Sequence, residues 1–258
     1  MPFPLAHPAA VLPLRRFCPG RLSFFALVIG SVVPDVAYCF GPLDVDVFAH
    51  TLAGSVVFCL PMGWLLIQVS WGIREPLATL LPNPHREALV PWCRRAREPV
   101  GTVTVSLLLG AWTHIFLDGF SHEDGWSVQR FEVLRVWVPV GGGYKAPVYR
   151  IIWYALSITG LIWLAGSYLR WLNRAVGAGR LWPLRERRRY GIWVLGLTLP
   201  YATIVPFTIH LAEERPLSHG LHLFIHASLG IYLVAVSLSL IVLGYSVRFR
   251  ANRLRHEP

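Results

Sequence analysis

Apolar residues run along this chain in long blocks, not in strand-like alternation. Six of them, residues 22–40, 51–71, 101–120, 148–172, 191–211 and 221–246, have the length of a helix that crosses a bilayer, for which about 20 residues suffice. Pro34 interrupts the first, and Pro200 and Pro206 interrupt the fifth. A proline inside such a helix frees carbonyls that neighbours or water must satisfy, so breaks of this kind border polar cavities. Ahead of the first block, residues 5–14 are apolar but too short to cross, and they end at Arg15 and Arg16. The pattern predicts an all-α polytopic membrane bundle of about six transmembrane helices, with a short N-terminal re-entrant or interfacial segment.

Composition agrees with this class. Hydrophobic residues make up 54% of the 258, charged residues 15%, and mean hydropathy is +0.49, too apolar for an ordinary soluble domain. One integral membrane domain over 1–258 is expected, with the diagnostic residues in 1–165 and less diagnostic crossings in 166–258. The net charge of +10 is distributed unevenly. Segments before 22, over 72–100, over 170–190 and after 246 hold 3, 5, 7 and 4 basic residues, against 0, 3 and 1 for 41–50, 121–147 and 212–220. The positive-inside rule then places both termini in the cytoplasm. Nucleic acid is not expected as a partner, because no basic face interleaved with exposed aromatics stands apart from the apolar blocks. The first 21 residues lack an apolar core with a cleavage site, so the first block is expected to be retained. Cys18, Cys39, Cys59 and Cys93 form no C-x-x-C pair and read as small apolar fillers.

Candidate chemistry comes from the acids. Of fourteen acidic residues only Asp35 and Asp118 fall inside apolar blocks. A carboxylate held in hydrocarbon faces a partner, a cavity or a cation. His50 opens the second block. His114 and Asp118 are four apart, on one helix face, and His122 continues that face if the helix persists for another turn. An H-x-x-x-D pair can offer two ligands to one metal, although the same spacing also arises in a buried hydrogen bond. His7 lies in the N-terminal segment, which would carry it about 12 Å inward from Arg15 at 1.5 Å per residue, enough to line a cavity from below as a re-entrant piece enclosed by protein but short of a site at the opposite surface. It reads equally as a loop or interfacial histidine. A second group, His210, His219, His222 and His226, lies in the last two blocks and reads as polar helix contacts.

Taken in order, Leu5-Ala6-His7-Pro8, Val33-Pro34-Asp35, Ala49-His50-Thr51-Leu52 and Trp112-Thr113-His114-Ile115-Phe116-Leu117-Asp118-Gly119, followed by His122 and Gly125-Trp126, resemble an uncharacterised bacterial family of multi-pass membrane proteins. That family is similar to bacterial inner-membrane metal-dependent hydrolases and, distantly, to zinc-dependent phospholipase C. The resemblance covers roughly the first 165 residues. It implies a divalent metal held by His7, Asp35, His50, His114 and Asp118, with zinc first and manganese or iron as alternatives. His122 would be a further ligand or proton donor, and Asp124 or Glu123 a general base or orienting group. Ala37-Tyr38 stands where an Asp-His pair often follows the Pro-Asp, which counts against a second full metal site.

The functional expectation is a hydrolase of the bacterial inner membrane that uses a metal-activated water on a lipid or lipid-linked substrate, with membrane lipid as partner. Two alternatives remain at this stage. One is an ion- or proton-coupled transporter with Asp35, Asp118 and the histidines along its path. The other is a scaffold that fastens its first crossings with a structural metal. Trp126 is expected to pack over the site or anchor at the interface, and the glycine-rich loop with Tyr144 and Lys145 to be a flexible connection.

Overall fold

The computed structural model describes residues 3–18, 20–43, 45–141, 144–177, 186–213 and 217–256. It is all-α apart from one small hairpin, and the chain divides into two units. Unit 1 comprises residues 1–68 and 96–170, and unit 2 residues 69–95 and 171–258. Among the described residues four helices are long and apolar enough to cross a membrane: Leu52–Leu80, Val100–Arg130, Val148–Val176 and Gly230–Arg253. The protein is therefore read as a multi-pass membrane protein.

Unit 1 begins with short pieces. A 3-10 turn, Pro4–Ala6, leads into α1 (Pro8–Val11) and a second 3-10 turn, Leu12–Phe17. The block at 22–40 does not form one crossing. It yields α2 (Phe24–Gly30), α3 (Val33–Val36) and a 3-10 stretch, Ala37–Leu43. The reason is local: Pro34 lacks the N–H that would continue α2, and it instead takes an early position in α3, where no donor is needed. Ser23 caps α2 by accepting from the Ala26 N–H, and its hydroxyl donates to Glu98 at 2.6 Å. Next come α4 (Val45–Ala49) and α5 (Leu52–Gly54), whose cap Thr51 accepts from the Gly54 N–H. A π-helical turn, Ser55–Cys59, joins α5 to α6 (Leu60–Leu80).

The spine of unit 1 is α8 (Val100–Ser121). Gly30 on α2 and Gly110 on α8 let the two backbones touch: a β-carbon at 30 would strike the Leu107 carbonyl, and one at 110 the Leu27 carbonyl. Close approach through small residues is how helices pack without help from hydrophobic burial in lipid. Around this contact Val33, Ala37, Ala49, Cys59 and Ala111 form one buried cluster, and Val11, Leu22 and Leu27 another. Beyond α8 come α9 (Trp126–Arg130), a 3-10 turn (Glu132–Arg135), and the antiparallel strands β1 (Trp137–Gly141) and β2 (Tyr144–Pro147). Val138 pairs with Ala146 and Pro139 with Lys145, with a bulge between Pro139 and Gly141. The expected flexible connection is thus a hairpin. It feeds α10 (Val148–Val176), whose Ser157 hydroxyl accepts from the Phe3 N–H at 2.8 Å and ties down the N-terminal segment.

Unit 2 contains α7 (His85–Cys93), α11 (Arg187–Glu213) and α12 (Leu217–His256). Tyr201 and Tyr232 meet edge to face at 5.5 Å between α11 and α12. Tyr190 donates to the Asn83 carbonyl at 2.8 Å and Trp193 to that of Leu80 at 3.1 Å. α11 runs through Pro200 and Pro206 without a break. A proline's fixed φ is helix-compatible, and although its ring forfeits a hydrogen bond and crowds the carbonyl four residues earlier, a membrane helix tolerates this, so the interruption expected there does not occur. The side chains of His210, His219, His222 and His226 lie outside the described residues.

Candidate metal centre

Four side chains from three elements converge in unit 1. Asp35 comes from α3, His50 from the turn after α4, and His114 and Asp118 from α8. One ligand atom from each lies within 4.8 Å of all the others. His114 has no exposed surface, and Asp118 and Asp35 keep only 6% and 9% of theirs.

The distances define a small polyhedron. His114 Nε2 stands 3.2 Å from Asp35 Oδ1, 3.1 Å from Asp118 Oδ2 and 3.2 Å from His50 Nε2. His50 Nε2 stands 3.4 Å from Asp118 Oδ2 and 3.8 Å from Asp35 Oδ1. These separations, from 3.1 to 3.8 Å, bracket the roughly 3.3–3.6 Å between donors held tetrahedrally at about 2.0–2.2 Å, so the group could hold a metal ion.

Ring orientation points the same way. His50 Nδ1 donates to the Asp46 carbonyl at 2.7 Å, and His114 Nδ1 to the Ser31 carbonyl at 2.8 Å. Each bond fixes the tautomer and leaves Nε2 as a lone pair. The two lone pairs then face one another and two carboxylates. All four carboxylate oxygens of Asp35 and Asp118 are buried with no hydrogen-bond donor aligned on them. Such a convergence of acceptors is repulsive until a cation enters it, whether a proton or a metal. His50, which lies outside the four long helices, shows the proton's side of this balance. Burial pushes its imidazole down, and the carboxylates of Asp118 and Asp35 beside it more than reverse this, carrying it up to about 9.

His7 joins the group from the N-terminal segment. It is 1% exposed, its ring stacks on that of His114 at 3.7 Å, and its Nε2 lies 3.5 Å from Asp118 Oδ1. Both its ring nitrogens are buried without hydrogen-bond partners. The reach that residue spacing left open for His7 is thus met: the structure brings it beside Asp118 and His114. With the first block broken, α2 is only seven residues long, about 10 Å, so the chain reaches Asp35 without crossing far from α1.

The condition for His122 to continue the helix face is not met. α8 ends at Ser121, and His122 adopts extended backbone angles as its cap. Its Nδ1 lies 3.1 Å from the Asp118 carbonyl and 3.8 Å from Asp118 Oδ1. Asp124 is exposed in the turn that follows, and the Glu123 carboxylate accepts from the Tyr149 hydroxyl at 3.4 Å. Trp126 packs its indole over Gly119, where a β-carbon would collide with the ring, and stands edge-on to Phe120 at 5.3 Å.

Residues 1–245 match the family model described as Domain of unknown function (DUF4184). The chain belongs to this family. No curated protein and no solved structure matches it. Within this DUF4184 protein, sequence reasoning missed the groups that orient the ligands, the carbonyls of Ser31 and Asp46. Backbone acceptors carry no side-chain signal, and only the fold could reveal them.

Proposed function

We propose that this protein is a multi-pass hydrolase of the bacterial inner membrane that holds a divalent metal, zinc first and manganese or iron as alternatives, and acts on a lipid or lipid-linked ester or phosphodiester. The observation that carries the reading is the buried convergence of two imidazole lone pairs and two carboxylates whose oxygens lack donors. Asp35, His50, His114 and Asp118 would hold the metal, with His7 completing the set beside Asp118. When bound, the metal would supply Lewis acidity to a phosphoryl or acyl oxygen and lower the pKa of water.

The chain's own groups do the rest. The Ser31 and Asp46 carbonyls keep the His114 and His50 rings aimed. The His7 ring covers the face of His114 and excludes water from it. His122, its Nδ1 beside the Asp118 carbonyl, would carry a proton to a leaving group, and Asp124 in the adjacent turn would be the exposed proton acceptor. The topology that accompanies this reading counts α11 with the four long helices as crossings and leaves out the broken 22–40 block, which returns Asp35 to His7; the excess of basic residues over 72–100, over 170–190 and after 246 supports placing those connections in the cytoplasm.

Four protein donors also suit a structural ion that fastens the early helices, since closed sites are structural and open ones catalytic. One experiment addresses both. Metal content by elemental mass spectrometry is measured on detergent-purified protein and on His114→Ala and Asp118→Ala, beside hydrolysis of phosphodiester and ester lipids. Stoichiometric metal lost in both variants, with turnover, supports the hydrolase; metal without turnover on any lipid supports the structural ion. Protein that takes up no metal from excess zinc or manganese rejects both.

A further inference from the structure

Between α8 and α10, unit 1 exposes apolar side chains that the described fold covers only in part. Trp126, Phe131, Val133, Val136, Trp137 and Val140 are 53%, 51%, 64%, 50%, 61% and 53% exposed. Water-facing surfaces rarely gather so much apolar area in so short a stretch. β1 offers no buried face to explain it, being exposed or half-exposed along its whole length. A two-stranded hairpin standing alone in water is marginal, so an apolar contact is needed to hold it.

The occupant follows from position and charge. Both ends of the stretch are tied to candidate membrane helices, one ending at Arg130 and the next starting at Val148. Residues 126–147 carry three bases, Arg130, Arg135 and Lys145, against one acid, Glu132, and all four are exposed. Aromatic rings and valines interleaved with arginines are the composition of a segment that lies in the bilayer interface, its rings at the acyl boundary and its guanidinium groups on phosphate. We propose that residues 126–147 lie in the headgroup layer of the bilayer as an interfacial wing, with Trp137 and Val140 in the acyl boundary and Arg130, Arg135 and Lys145 on lipid phosphates.

The wing is joined to the ligand-bearing helix. The Trp126 indole rests on Gly119, the neighbour of Asp118, and packs with Phe116 and Phe120 at 6.3 and 5.3 Å. Fixing the wing in the headgroup layer therefore fixes Asp118 within a few residues of that layer. The inference stands on this segment alone and holds whether or not the Asp35, His50, His114 and Asp118 group takes a metal.

The test uses full-length protein with Cys18→Ala and Cys39→Ala, leaving the buried Cys59 and Cys93 in place. Val140→Cys is labelled with an environment-sensitive fluorophore and reconstituted into vesicles of phosphatidylethanolamine and phosphatidylglycerol. Val133→Cys provides a second probe position should the first disturb the hairpin, and Arg95→Cys, exposed after α7, is the aqueous reference. The expected result is quenching by phospholipid brominated high on its acyl chain, with iodide quenching several-fold weaker than at Arg95→Cys. Iodide quenching equal to the reference, with none from brominated lipid, overturns the proposal in favour of a solvated loop. A probe shielded from both quenchers, together with disulfide-linked dimers of unlabelled Val140→Cys protein, overturns it in favour of a second copy seated on the wing.

Discussion

Gly110→Ala tests whether the contact between α2 and α8 is what aims His114. A β-carbon at 110 would lie 2.7 Å from the Ser31 nitrogen and 2.9 Å from the Gly30 carbonyl carbon, in addition to striking the Leu27 carbonyl. Comfortable contact needs about 3.5 Å, so α2 must retreat by roughly 1 Å. The Ser31 carbonyl moves with it, and the 2.8 Å bond it accepts from His114 Nδ1 opens past hydrogen-bonding range. Overpacking of this kind costs about 1–3 kcal/mol of stability. Loss of the bond that orients a ligating imidazole costs about 10- to 100-fold in metal affinity. Thermal unfolding in detergent with chelator present reads the first quantity, and competition against a chromophoric chelator reads the second. Gly101→Ala is the control, since nothing lies within 4 Å of a β-carbon there. Should Gly110→Ala bind metal with wild-type affinity, or Gly101→Ala lose as much as Gly110→Ala, the argument that helix contact sets the ring is wrong.

Other outcomes are equally specific. His7→Ala, which leaves the four converging donors in place, is expected to retain metal with affinity lowered about 10- to 100-fold, read by the same competition. Ser23→Ala removes both the α2 cap and the donor to Glu98, and is expected to destabilise by about 1–2 kcal/mol while metal stoichiometry stays unchanged, measured by unfolding beside elemental analysis. In metal-free protein the raised pKa of His50 supplies stability that is fully present below pH about 6.5 and is lost as pH rises through about 9. Metal replaces that proton, so the melting temperature of chelated protein should fall across this window and that of zinc-loaded protein should not. A metal-free melting temperature that climbs from pH 6.5 to 9 contradicts this.

Much of the chemistry was legible before the fold. Asp35 and Asp118 stand out because a carboxylate in an apolar block is costly, and the i, i+4 spacing already put His114 beside Asp118. What could not be read was how the early residues meet them. Block length alone turns 22–40 into a crossing, whereas Pro34 divides it, and the division brings His7 and Asp35 to the same point on α8. His122 hung on a condition that spacing cannot decide: it continues the helix face only if the helix persists, and α8 ends one residue before it. The hairpin at 137–147 was hidden by glycines that read as flexibility. The carbonyls of Ser31 and Asp46 could not be foreseen, because any residue type supplies a carbonyl.

The tether between Phe3 and Ser157 joins groups 154 residues apart. A ribosome working at about 5–20 residues per second needs roughly 8–30 s to lengthen the chain by that much. His7 must therefore wait, outside its final surroundings, while most of unit 1 is synthesised and inserted. Assembly of the cluster is a late event in biogenesis, and a nascent chain stalled before residue 157 should leave its N-terminal segment open to protease and to thiol reagents at an introduced cysteine.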